Sequence, residues 1–159
     1  MAVLILVLRV ALGGLFLLAG VLKAHDGVTA TTASIAAYRI LPPAAVAPLG
    51  LFLPYFEIGL GAYLLLGLFT RTAAVIAIAQ LVVFAGAVAS LVVRNIPADC
   101  GCLGSGVSVP PSWGHVATDL ALAALALLVA LRAPGALSVD AVLASRSALD
   151  EAREPTAAT

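Results

Sequence analysis

The chain has 159 residues, 63% of them hydrophobic and 10% charged, with zero formal net charge and a mean hydropathy of +1.17. A water-soluble domain carries about 25% charged residues, so this chain lacks the polar surface to cover a globule in water. A neutral charge balance gives no footing for nucleic-acid binding or polyanion steering. The class is integral membrane protein, and its first partner is the lipid bilayer.

A helix needs about 20 apolar residues to cross a bilayer. The first run is Val3–Leu22. Arg9 interrupts it, no basic segment precedes it and no small-residue cleavage site closes it, so it is expected as a retained span rather than a secretory signal. The loop from Lys23 to Pro43 follows. In it, Ile35, Tyr38 and Leu41 are spaced for a short interfacial helix after a Ser or Thr cap, ending before Pro42-Pro43. The second span runs from about Val46 to Phe69, then Thr70-Arg71-Thr72 as a tight turn, and the third from about Ala73 to Val93. The polar loop Arg94–His115 leads to a shorter fourth run, from about Val116 to Leu131. Unbroken apolar runs in lipid must be helical, because only helices or closed barrels satisfy their own backbone there. Beyond Leu131, Val139, Val142, Leu143 and Leu149 share one helical face, and the EPTAAT end reads as disordered.

The expected fold class is therefore an all-α membrane protein, an antiparallel four-transmembrane-helix bundle over residues 1–131 with a tail over 132–159. Positive charges do not orient it: Arg71, Arg132 and Arg146 oppose Lys23, Arg39 and Arg94. The two cysteines, Cys100 and Cys102, break the tie, because disulfides persist outside the cytoplasm. The expectation is a multi-pass protein of the inner or plasma membrane, with cytoplasmic termini and an extracytoplasmic CGC loop.

Within the spans, Glu57 stands near the midplane, where a carboxylate costs roughly 2.5–3.5 kcal/mol on insertion scales and faces the bundle interior. Counting rise per residue puts Arg9 and Gln80 at about 10–12 Å from one face and Glu57 at about 18 Å. The expected arrangement is a buried Arg9–Glu57 pair with Gln80 adding hydrogen bonds, serving either proton or quinone handling or helix pairing alone. Gly59, Gly61, Gly86 and Ser90 are candidates for close helix approach, and Tyr38 and Trp113 for interfacial anchors. Lys23 and His25 are candidates for lowering a nearby thiol pKa, and His115 for a proton acceptor.

A Cys-x-Cys disulfide requires the two Cα atoms to approach within about 4.4–6.8 Å. Gly101 tolerates the necessary bend, including positive φ. So small a ring is strained and readily reduced, and it staples almost no chain. Thiol–disulfide redox is the reading that uses these properties. Two alternatives stand beside it: zinc held with Asp99 and His115, although structural zinc favours four Cys or His ligands, and a pair of inert thiols.

GGLFLLAGVLK ending at Lys23, AYRILPP at Ala37–Pro43, LPYFEIGLGAYLLLGLFTR at Leu53–Arg71 and DCGCLG at Asp99–Gly104, in this order, resemble the MauE family of methylamine utilisation proteins. That family lies within the DoxX-like group of four-helix membrane proteins. The match covers most of residues 5–131, and Leu103 replaces the Phe usual after CGC. The resemblance implies a part in making or maintaining disulfides in exported proteins, as inferred for maturation of the methylamine dehydrogenase small subunit. It implies a thioredoxin-like extracytoplasmic partner or an exported thiol substrate, with Cys100 and Cys102 as the redox centre of a thiol–disulfide oxidoreductase. A looser similarity links the chain to the quinone-using thiol oxidases DsbB and vitamin K epoxide reductase, which carry two cysteine pairs. With one pair, a quinone would be served by CGC directly or by a partner. The rival readings are a non-catalytic scaffold that docks a thioredoxin-like protein and a small transporter using Glu57.

Overall fold

The computed structural model describes residues 2–98, 101, 110–133, 138–140 and 145. All its regular elements among these residues are helices: α1 Ala2–Asp26, α2 Val28–Ala37, α3 Pro43–Leu66, α4 Thr70–Val93 and α5 Trp113–Arg132. Four of them, α1, α3, α4 and α5, are long and apolar enough to cross a membrane. Twenty-four residues, the length of α3 and of α4, rise about 36 Å, which exceeds a hydrocarbon core of about 30 Å. Val3, Val83 and Leu131 are each more than 60% exposed, an outer surface that only lipid can solvate. The expected multi-pass, all-helical membrane fold is the one observed.

Several boundaries shift. The chain reverses between α3 and α4 at Gly67 (φ 67°) and Phe69 (φ 46°), not at Thr70–Thr72, which form the first turn of α4. Gly67 ends α3 because a left-handed residue after a helix costs glycine least. The last span begins three residues earlier than its apolar run, at Trp113, and fills 20 residues. The short helix α2 is capped by Gly27 (φ 88°) rather than Ser or Thr, and Leu41 lies outside it. The expected face made of Val139, Val142, Leu143 and Leu149 falls mostly outside the described residues.

Packing pairs α1 with α3 and α4 with α5, and looser contacts along α1–α5 and α3–α4 close the bundle. Two glycine contacts set the α1–α3 distance. A Cβ on Gly61 would lie 2.6 Å from the Leu17 nitrogen, and one on Gly20 would lie 2.6 Å from the Pro54 oxygen. Gly61 thus has its expected role, whereas Gly59 and Gly86 face open space on the outer sides of their helices. The α4–α5 seam is lined by Ala73, Ala74, Ala77, Ala123 and Ala126, which permit close approach without a large apolar payload. These residues and Leu12, Phe16, Leu60 and Leu64 form a tight core toward the α3–α4 turn.

Two polar devices hold the ends. Asp140 accepts from the backbone N–H groups of Phe69 and Thr70, both at 2.8 Å, and so caps the start of α4 from outside the helix. At the other end, Arg94 donates to the Tyr38 carbonyl, the Arg39 carbonyl (3.4 Å) and Ser90 Oγ (2.6 Å), tying α2 to α4. A cation on the last carbonyls of a helix is favourable.

Gly61→Ala should force α1 from α3 and destabilise the bundle by about 1–3 kcal/mol, while Gly59→Ala should be neutral or slightly stabilising. Thermal unfolding in detergent separates the two. Burial pushes the Asp140 carboxyl up, but its two backbone donors and the Arg9 charge outweigh this and hold it below its ordinary value. Its contribution is therefore present above the usual carboxylate range of about 3.9 and lost as pH falls through the depressed value. Asp140→Asn should lower the unfolding temperature at neutral pH, and the gap to the wild-type chain should close on acidification.

Candidate functional site

Each membrane helix buries one stripe of residues, and the polar site forms where three stripes meet. On α1 the buried stripe is Ile5, Arg9, Leu12, Phe16, Ala19 and Lys23, alternating four- and three-residue steps as a helix seam requires. Glu57 lies on the buried stripe of α3 with Pro54, Leu60 and Leu64, and Gln80 lies on that of α4 with Ala73, Ala77 and Leu81. Lys23 and Glu57 are 3% and 1% exposed. Lys23 Nζ donates to Glu57 Oε1 at 2.8 Å and to Oε2 at 2.7 Å, and Gln80 Nε2 donates to Oε1 at 2.9 Å. The ammonium also sits 5.6 Å from the centre of the Phe84 ring, a favourable cation–π distance.

The expected Arg9–Glu57 pair does not form; Lys23 takes that place, and the Gln80 bond is as expected. The reason lies in register and side-chain direction. Gly13 packs against Gly61 and Leu65, so Arg9 is level with the end of α3, eight residues or about 12 Å from Glu57. Side chains lean toward the N-terminus of their helix. In an antiparallel pair this carries Lys23 and Glu57 toward each other and Arg9 and Glu57 apart. Arg9 instead lies against Gly67 at the α3–α4 turn, where its charge acts on Asp140. Lys23, a candidate for lowering a thiol pKa, has its ammonium paired with Glu57.

Beside this triad the bundle opens. Below their turn α3 and α4 diverge, and a cavity of about 470 Å³ separates them, roofed by α2. Phe52 and Phe56, with ring centroids 5.2 Å apart, line one wall, and Val83, Phe84 and Ala87 the other. Lys23 and Gln80 form part of its lining, as does Gly101. Gly101 has φ 62° and lies near Ser34 of α2, so the residue between the two cysteines faces the same cavity as the polar triad. Cys100, Cys102 and Asp99 lie outside the described residues. His115 stands apart at the start of α5, with Nδ1 2.9 Å from Ser112 Oγ. Among the described residues no group of three His, Cys, Asp or Glu side chains is placed to hold a metal ion.

The arrangement can keep a carboxylate ionised in lipid by direct pairing, and it can present one amide and an apolar wall to a small molecule. Removing one partner of a buried ion pair costs about 3–5 kcal/mol in soluble proteins, while replacing both by apolar residues is often neutral. Glu57→Ala and Lys23→Met should each destabilise the bundle strongly. Lys23→Met combined with Glu57→Leu should recover most of the loss, as read from thermal unfolding in lipid nanodiscs.

Residues 1–132 match the model of the family described as methylamine utilisation protein MauE. The methylamine utilization protein MauE of Paracoccus denitrificans is 40% identical over 101 residues, which is 63% of this chain and 54% of that protein. The match thus spans about half the length of that curated relative. No solved structure matches the chain. With its family model covering the whole described bundle, the chain belongs to the MauE family.

Proposed function

We propose that this protein carries out thiol–disulfide exchange at the outer membrane face, supporting disulfide formation and maturation of exported proteins. The observation that carries the reading is the Cys100-Gly101-Cys102 triplet, the chain's whole cysteine inventory. Its spacing gives a small ring with little use as a staple. The positive φ of Gly101 supports it, because a bend at that residue is what closure of the pair requires. The name of the Paracoccus relative suggests the setting, methylamine utilisation, where the exported client would be a disulfide-containing enzyme of that metabolism.

In the exchange, a thiolate of the client attacks one sulfur of the oxidised pair. A client–protein mixed disulfide forms and the second cysteine leaves as a thiolate. The second client thiol then closes the client's disulfide and releases the other cysteine, so two electrons and two protons have passed to the pair. A thioredoxin-like extracytoplasmic protein is an equally suitable client. The orientation that permits this has the CGC loop outside and the termini in the cytoplasm. The fixed Lys23–Glu57 pair speaks against a transporter that cycles Glu57 through the membrane.

Cys100→Ser and Cys102→Ser should each abolish client oxidation, and one of them should trap a covalent adduct visible on a non-reducing gel. The trapping variant identifies the attacking thiol. A membrane-impermeant thiol reagent should label the reduced pair from outside intact cells. If neither variant traps a client and exported proteins stay oxidised in the double variant, the protein acts as a scaffold instead.

A further inference from the structure

Where Arg94 ties α2 to α4, two pockets of opposite character adjoin, and together they describe one ligand. The first is the cavity between α3 and α4, about 470 Å³, within the range of small-molecule sites, about 300–1,000 Å³. Its walls are apolar, and two of the residues in them, Phe52 and Val83, are 57% and 66% exposed on the lipid side of the bundle. A chain dissolved in the bilayer can therefore enter without crossing water. From Gln80 on the cavity wall to Arg94 at the end of α4 is about 21 Å of helix rise, somewhat more than one leaflet of a core of about 30 Å.

The second pocket, about 350 Å³, is lined by Arg39, Arg94, Asn95 and Ala98 among others. The two pockets meet at the end of α2: Tyr38 lines the first, and its neighbours Ala37 and Arg39 line the second. On α4, Ala87 of the first and Arg94 of the second are seven residues apart and share a helix face. No acidic side chain lines either pocket, and neither arginine has a carboxylate partner among the described residues. Arg94 donates to the carbonyls of Tyr38, Arg39 and Ser90 and to Ser90 Oγ, which fixes its guanidinium without neutralising it. The Arg39 side chain is exposed. Backbone strain gathers at the same place. Arg39 (φ 51°) and Asn95 (φ 50°) are two of the three non-glycine residues with positive φ among the described residues, and such residues cluster at ligand clamps. Two cations at the head of a lipid-facing apolar slot match an anionic head with an acyl tail. A choline or ethanolamine head brings its own cation beside them; a glycerol head does not.

We propose that the two pockets form one binding site for an anionic phospholipid, with its phosphate at Arg39 and Arg94 and one acyl chain in the α3–α4 cavity. The site does not rest on the thiol–disulfide reading. It bears on that chemistry through its position, because Ala98 and Gly101, the described residues on either side of Cys100, line its two halves.

The test uses the full chain in phosphatidylcholine nanodiscs doped with a phosphatidylglycerol whose acyl chain carries a photoactivatable diazirine. Saturable labelling within residues 52–56 and 79–87 is expected, displaced by unlabelled phosphatidylglycerol and far less by phosphatidylethanolamine. Arg39→Gln should weaken phosphatidylglycerol binding about fivefold, the worth of one basic residue at an anionic surface. Arg39→Lys should restore most of it, and added salt should shrink the difference. Ala87→Phe should fill the cavity and abolish saturable labelling; the Arg39 variants, which alter an exposed side chain, carry the test should Ala87→Phe not fold. Equal displacement by the two lipids, or labelling that spreads over outward positions such as Val82 and Leu127, would make the cavity an unselective acyl groove and overturn the proposal. Displacement by inorganic phosphate alone would make the arginines a free-anion site and overturn it as well. Labelling should be equally strong in the Cys100→Ser/Cys102→Ser double variant, so the site stands or falls separately from the exchange.

Discussion

The structure depends on one ion pair that cannot be solvated. Lys23 and Glu57 are both almost fully buried and held at 2.7 Å, at a depth where neither charge survives alone. Gln80 adds a third helix to the contact. Because α1 and α3 already meet through glycine, at Gly20 and Gly61, the pair is clamped between two backbones that cannot slide without losing both the packing and the charge match. Lipid offers no hydrophobic drive for helix association, so close packing and polar contacts must fix the register. Here they do so at the same interface.

That clamp also explains why the bundle is uneven. Toward the α3–α4 turn, alanine seams and the Leu12–Phe16–Leu60–Leu64 core close the interior. Past Glu57, α3 and α4 separate while α1 and α5 hold their partners, and α2 is tied across the gap by Arg94. A hairpin of two long helices thus leaves an apolar chamber with a polar floor, and Gly101 reaches its wall. The proposed exchange draws on the loop's sulfur, while the Lys23–Glu57–Gln80 triad holds the chamber's floor in place.

Much of this was legible in the residues. Apolar runs placed the four spans, and Gln80 with Glu57 followed from depth alone. The error over Arg9 arose from counting depth without register: both Arg9 and Lys23 lie on the buried stripe of α1, and the lean of side chains toward helix N-termini decides between them. The four- and three-residue steps from Ile5 to Lys23 carry that information, whereas its place at the edge of an apolar run makes Lys23 read as a loop-side cation. Gly59 and Gly86 show the converse, since a small residue permits contact without specifying which side faces a neighbour. The cavity was not legible at all. It arises from the divergence of two helices joined by a tight turn, a property of the whole bundle and of no local motif.

The central proposal is that electrons pass from exported thiols to the Cys100–Cys102 pair. The most direct measurement is the redox state of exported thiol proteins in growing cells, fixed by acid quenching and alkylation and read by gel shift, in strains carrying the wild-type chain and the Cys100→Ser/Cys102→Ser double variant. The account predicts that exported clients are mainly disulfides with the wild-type chain and accumulate as dithiols with the double variant. The same redox state in both strains would contradict it.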